Sequence, residues 1–386
     1  MKITSIDVYD FGKCLNYEDC SPICIRINTD AGISGFGEVG LAYGNAHNAG
    51  VWMVKDFGQL IIGKDPLRSE AIREQLFRTT FWGMGGGTVD IALWDIKGKY
   101  YNAPVYQLLG GKINEKLRAY ASQIQFDWDL EDRNMVTPEQ YAEAAKKAMA
   151  QGYTAVKVDP VGVAANGNWQ RTKQDADWRL RGQLPQNVLK LVRARLQAIR
   201  DLSPDLDIII ELHSFTDTST AIQLANYIDD LNIMYYEEPV HPLNAVSMRE
   251  IKENIRIPVA SGERIYTRLG YRPFFENRSL SVIQPDVCLC GGISEAKKIC
   301  DMADTYDVKV QIHVCGGPIS QAAALHVETA IPNFLIHEQH SYGIKQGLRD
   351  TCVYDDHGEL TVPELPGIGQ EITEETMAKT WVYTIQ

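Results

Sequence analysis

The chain opens on alternation. Ile23, Ile25 and Ile27 alternate with Cys24 and Arg26, and Thr29-Asp30-Ala31-Gly32 supplies turn residues before the pattern resumes over Ile33–Glu38. Residues 46–117 read as helical, and in their best segment Val89, Ala92, Leu93 and Ile96 recur at i, i+3, i+4 and i+7. From about residue 118 short runs rich in β-branched residues alternate with amphipathic stretches. Strands are expected at Ala155–Val158, Ile208–Leu212, Ile233–Tyr236, Ile257–Ala260, Leu280–Ile283, Val308–Ile312 and Phe334–Ile336. Thr137-Pro138-Glu139-Gln140 carries the marks of a capped helix start, Gly152 a stop, and Ser294 is expected to precede a helix over Glu295–Tyr306. Roughly eight such units predict an α/β fold with a closed (β/α) barrel over 118–355. Residues 356–386, with Pro363, Pro366, Gly367 and Gly369, are expected to return to residues 1–117 and complete an α+β unit.

The polar residues at the strand ends add chemistry to that outline. Glu211, Glu237, Glu263, Asp286, His313 and Glu338 each stand at the end of an apolar run, at intervals of 26, 26, 23, 27 and 25 residues. One strand–helix unit takes about 30 residues, so these groups fall at equivalent places around one barrel mouth. Acids after strands also cap helices, but three consecutive glutamates in register point to a shared site. Three ionised carboxylates about 4 Å apart repel by roughly 4 kcal/mol per pair, about 12 kcal/mol together. Protons or a cation must offset that, and an all-oxygen set suits Mg²⁺ where zinc would favour histidine or cysteine. His213, two residues beyond Glu211, is expected to face the same mouth. Asp286 and His313 end adjacent strands, where a carboxylate can orient a histidine as a base.

Composition narrows the partners. Fifty acidic residues against 38 basic ones give a formal charge of −12, which disfavours nucleic acid and anionic membranes. No stretch reads as a signal peptide or reaches the roughly 18 apolar residues of a membrane span, so a cytoplasmic protein is expected. Eight cysteines without a CxxC pair read as thiols. The glycines at 83 and 85–87 lack the lysine of a phosphate loop and read as a place of close backbone approach.

Several motifs carry a family resemblance over nearly the whole chain. GISGFGE (Gly32–Glu38), DIALWDIKGK (Asp90–Lys99), YYEEP (Tyr235–Pro239), SGERIYTR (Ser261–Arg268), QPDVCLCGGISE (Gln284–Glu295), HVCGGP (His313–Pro318) and PGIGQE (Pro366–Glu371) resemble the mandelate racemase branch of the enolase superfamily, and within it the acid-sugar dehydratases related to galactonate dehydratase. The resemblance implies a modified TIM barrel with an α+β capping domain, whose loops near Cys14–Ser21 and Tyr43–Asn48 would choose the substrate. It implies Mg²⁺ on Glu211, Glu237 and Glu263, with Glu237 rather than Glu238 as the second ligand. His313 with Asp286 would remove the proton next to the substrate carboxylate, His213 would protonate the departing 3-hydroxyl, and Glu338 would hold the carboxylate side of the intermediate. A homo-oligomer is expected from the family.

There are departures. Racemases and cycloisomerases of the superfamily carry Lys-x-Lys on the second barrel strand, whereas Lys157-Val158-Asp159 stands here. Lys157 and Asp159 are left as candidate substrate contacts, and elimination suits the remaining groups better than racemisation. The expected reaction is dehydration of an aldonate such as galactonate or gluconate to a 2-keto-3-deoxy acid. An epimerase, racemase or cycloisomerase of the superfamily, or a catalytically silent sugar-acid-binding relative, stays open. Pro160–Gln186, with Trp169 and Trp178, reads as a long loop at the mouth.

Overall fold

The computed structural model describes residues 1–11, 22–40, 46–79, 84–128, 133–169, 180–340, 353–354 and 357–386. Strands β1 (Ile3–Asp10), β2 (Ile23–Thr29) and β3 (Ser34–Val39) pair antiparallel, because their alternating residues supply one apolar face. Ile6, Val8, Ile23, Ile25 and Ile27 bury that face against helices α1 (His47–Ile61), α2 (Ser69–Thr79) and α3 (Met84–Tyr101). The α3 stripe of Val89, Ala92, Leu93 and Ile96 joins the same core. Strand β3 lies so close to α3 that a Cβ at Gly35 or Gly37 would meet the backbone oxygen of Ala92 or Thr88 at 2.2 or 2.1 Å. Only glycine fits there, which accounts for the spacing in GISGFGE.

After the short α4 (Val105–Leu108), the barrel begins at β4 (Leu117–Ala121). It continues as α5 (Pro138–Ala150), β5 (Ala155–Val158), α6 (Gln186–Arg200), β6 (Asp207–Glu211), α7 (Thr218–Tyr227), β7 (Ile233–Glu237) and α8 (Ala245–Asn254). Then come β8 (Val259–Ser261), α9 (Thr267–Glu276), β9 (Val282–Ile283), α10 (Gly292–Asp304), β10 (Lys309–Val310), α11 (Pro318–Thr329) and β11 (His337–Gln339). Strands β4 to β10 pair parallel in chain order, β11 pairs with β4, and a Val310–Phe334 bridge completes the ring. Tyr120, Ala155, Ile209, Tyr235, Ala260, Val282 and Ile336 fill its interior. Their neighbours Ala119, Val156, Ile208, Ile210, Tyr236 and Val259 face the helices, as the two-residue period requires. The chain ends in β12 (Val353–Tyr354), β13 (Glu359–Thr361), α12 (Glu374–Thr380) and β14 (Trp381–Ile385). Of these, β13 pairs with β4, and β14 with β1.

Local signals are realised unevenly. Thr137 and Gln140 form a reciprocal capping box at α5, and Gly152 takes a left-handed φ of 94° just beyond that helix. Ser294 does not open its helix. The N-cap is Gly291, and Ser294 lies one turn inside, where its N–H and Oγ both bond Asp90. The last barrel strand is His337–Gln339 rather than Phe334–Ile336. Glu338 therefore sits within the strand, because the pairing partner of that stretch is β4. Cys24, Cys288, Cys290, Cys300 and Cys315 are in no disulfide, while Cys14, Cys20 and Cys352 lie outside the described residues. A Cβ at Gly87 would meet Cys288 O at 2.4 Å, the close approach expected of that glycine run.

Candidate active site

Strand register brings the acids together. Glu211 and Glu237 are paired residues at the ends of β6 and β7, and Glu263 follows β8 by two residues. One carboxylate oxygen from each lies within 4.8 Å of the others, and all three side chains are buried. Burial, and next the charge of Glu237, push Glu211 well above the ordinary carboxylate range. Glu211 Oε2 is buried and receives no hydrogen bond. An orphaned acceptor inside a three-carboxylate cluster is a set that a hard divalent cation would satisfy, Mg²⁺ foremost. The next residue in the chain, Glu238, turns away at φ 42°. Its carboxylate grips Arg264, accepting from Nε at 3.1 Å and from Nη2. Burial and then Glu263 push Glu238 up to about 7.

Lys157 on β5 reaches Glu211 and Glu237 of the cluster, together with Glu338. Its Nζ is 2.6 Å from Glu338 Oε1, 3.0 Å from Glu237 Oε1 and 3.8 Å from Glu211 Oε2. Burial alone would lower this ammonium, but Glu237, Glu338 and Glu211 outweigh it and hold Lys157 well above its usual value. Glu338 also accepts from Ser122 Oγ at 2.7 Å and from the Val314 N–H at 2.9 Å. Burial opposes its charge, yet Lys157 and the nearby histidines hold Glu338 well below the usual carboxylate range.

The two histidines stand at different walls. His313 Nδ1 is 2.9 Å from Asp286 Oδ2 and its Nε2 is 3.1 Å from Glu263 Oε2. Burial disfavours its charge, but Glu263 and Asp286 raise it well above the usual value. His213, left-handed at φ 46°, donates its backbone N–H to Glu211 Oε1 at 2.6 Å. Trp169 meets its ring edge-on at 5.6 Å.

All the strand-end residues expected at the mouth are thus gathered there, and two expectations change. Lys157 and Asp159, read as substrate contacts, are engaged within the protein: Lys157 by carboxylates, Asp159 by the Val161 and Gly162 N–H groups and by His213. Ser122 and Gln123 follow β4, a strand not among those expected from the sequence. Their only local signal is a polar pair after Ala119-Tyr120-Ala121. The loops at 14–21 and 43–45, and Trp178, lie outside the described residues. The Gly317 N–H is taken by Glu38 of β3, which also accepts from the Ser320 N–H at 3.0 Å.

Comparison with known proteins agrees with this geometry. A family model described as enolase C-terminal domain-like matches residues 140–376, and one described as the mandelate racemase/muconate lactonizing enzyme N-terminal domain matches residues 16–110. The chain belongs to the enolase superfamily, in its mandelate racemase/muconate lactonizing enzyme branch. It is 32% identical over 364 residues to a D-xylonate dehydratase of Haloferax volcanii, spanning 90% of this chain and 82% of that protein. It is 31% identical over 391 residues to a D-galactonate dehydratase of Variovorax paradoxus, spanning 97% and 93%. Among solved structures, a member of the enolase superfamily from Salmonella Typhimurium is 52% identical, with a TM-score of 0.93 and full coverage of both chains. A mandelate racemase/muconate lactonizing enzyme from Sulfitobacter sp is 29% identical, with a TM-score of 0.86, covering 99% of this chain and 96% of that one. The Haloferax volcanii and Variovorax paradoxus relatives are named dehydratases, that is, hydro-lyases.

Proposed function

We propose that this chain is a Mg²⁺-dependent hydro-lyase that dehydrates a sugar acid, an aldonate such as galactonate or gluconate, to its 2-keto-3-deoxy acid. The observation that carries the reading is the Glu211–Glu237–Glu263 cluster with a histidine at each side of it, His213 next to Glu211 and His313 next to Glu263. A Mg²⁺ ion held by these glutamates would supply positive charge beside the substrate carboxylate as C2 loses its proton. Asp286 occupies His313 Nδ1, so Nε2, 3.1 Å from Glu263 Oε2, is the atom that would take the C2 proton once Glu263 is engaged by the ion instead. Glu338, fixed by Ser122, Lys157 and the Val314 N–H, lines the carboxylate side. His213 gives a proton to the leaving 3-hydroxyl, water departs, and the resulting enol takes up a proton at C3 to become the ketone. Trp169 covers His213 and limits water beside it.

Among the described residues no helix is long and apolar enough to cross a membrane, and we place the reaction in the cytoplasm, on a homo-oligomer. The test is a library of aldonic and aldaric acids assayed with Mg²⁺ and again with EDTA, with keto-acid product trapped by semicarbazide. Keto acid formed only with the metal is the expected outcome. A diastereomer of the substrate without keto acid would replace dehydration by epimerisation.

A further inference from the structure

Two aspartate–histidine pairs border the carboxylate cluster, and they are built alike down to the backbone. Asp286 follows β9 and meets His313 beyond β10; Asp159 follows β5 and meets His213 beyond β6. In both, aspartate Oδ2 faces histidine Nδ1, at 2.9 Å and 2.6 Å. In both, Oδ1 accepts the N–H groups two and three residues ahead. These are Cys288 and Leu289 for Asp286, at 2.8 and 3.1 Å, and Val161 and Gly162 for Asp159, at 3.0 and 2.6 Å. Strands β5 and β6 lie four places around the ring from β9 and β10, so the two pairs occupy opposite walls of one mouth. All four side chains are buried.

The repeated construction dictates a proton position. A carboxylate whose Oδ1 serves two N–H donors has Oδ2 left for the ring, and an ionised carboxylate has no hydrogen to give. Nδ1 must therefore carry a proton in both rings, and at His213 the second proton of the charged ring sits on Nε2, which hands it to the leaving hydroxyl and leaves the ring as the Nδ1–H tautomer. The Gln123 side-chain nitrogen, 3.4 Å from His213 Nε2, is a donor to that atom in the neutral ring left after the transfer. The ring is also held in place by Trp169 and by the His213 N–H bond to Glu211.

We propose that Asp159 is a positioning residue that fixes the tautomer and orientation of His213, making His213 the proton-transferring counterpart of His313 across the site. This rests on the reading of His213 as the group that protonates the leaving hydroxyl. The signature is visible without turnover. In the full chain labelled with ¹⁵N-histidine, metal-free and with Mg²⁺, His213 (assigned by loss of its signals in His213→Gln) is protonated on Nδ1. In Asp159→Asn the amide oxygen keeps the Val161 and Gly162 N–H bonds, so the amide NH₂ must face the ring. The proton then moves to Nε2, while His313 is unchanged. On a sugar acid that the wild type dehydrates, Asp159→Asn lowers kcat by about 10²–10⁴-fold with KM little altered, the pattern of a histidine held in the wrong tautomer. An unprotonated Nδ1 in the wild type overturns the proposal, and that spectrum stands alone if the variant does not fold. A tautomer or kcat untouched by Asp159→Asn overturns it as well. A wild type inactive on every sugar acid refutes the dehydratase reading instead, and the tautomer result still decides this one.

Discussion

Lys157 offers a quantitative test of how the site tolerates so many acids. Its ammonium lies 2.6, 3.0 and 3.8 Å from oxygens of Glu338, Glu237 and Glu211. At an effective dielectric of about 20 these contacts are worth roughly 6, 5.5 and 4 kcal/mol. The sum is an upper bound, since burying the ammonium costs several kcal/mol and orphaned carboxylates can take up protons. Removing one partner of a buried ion pair leaves a net loss of about 3–5 kcal/mol, and Lys157→Met should reach that range at pH 8 in EDTA. The loss should shrink toward pH 5, because Glu211, already pushed up by burial and Glu237, then holds its proton and no longer needs the ammonium. Mg²⁺ should also recover more stability in Lys157→Met than in the wild type, since the cation replaces the missing charge. Urea denaturation followed by fluorescence measures all three effects. A loss below about 1 kcal/mol, or one indifferent to pH and Mg²⁺, would show that Lys157 does not offset the cluster's charge.

Two further outcomes follow from the same geometry. His313→Asn should lower dehydration by about 10²–10⁴-fold and abolish exchange of the C2 proton with deuterated solvent, whereas persistent exchange would move the base elsewhere. Glu38, pushed up to about 7 chiefly by burial, favours its protonated form in the folded state. Its contribution is full below about pH 4.5 and is lost as pH rises through 7, about 3 kcal/mol in all. The Glu38→Gln variant should lack that slope, and parallel stability profiles of the two proteins between pH 4.5 and 8 would refute it.

What sequence could disclose about this site follows from which contacts are periodic. Glu211, Glu237, Glu263, Asp286, His313 and Glu338 were legible because a barrel repeats one unit, so equivalent positions recur at near-constant spacing. The choice of Glu237 over Glu238 came from the family resemblance. The structure supplies its physical basis, a left-handed Glu238 turned onto Arg264. Contacts between distant segments left no local trace. Asp159 meets His213 across 54 residues, Lys157 meets Glu237 across 80, and Glu38 reaches the start of α11 across 279. The two-residue strands β9 and β10 were read too long because their apolar runs continue beyond the paired residues. Ser294 looked like a cap by type, yet its hydroxyl answers to Asp90, 204 residues away.

The most direct measurement is Mg²⁺ binding by isothermal titration to the wild type, Glu237→Gln and Glu238→Gln, each checked for folding by circular dichroism. One ion per chain should bind the wild type and Glu238→Gln, and binding should be lost in Glu237→Gln. Equal binding by Glu237→Gln, or none by the wild type, would contradict a cation site on Glu211, Glu237 and Glu263.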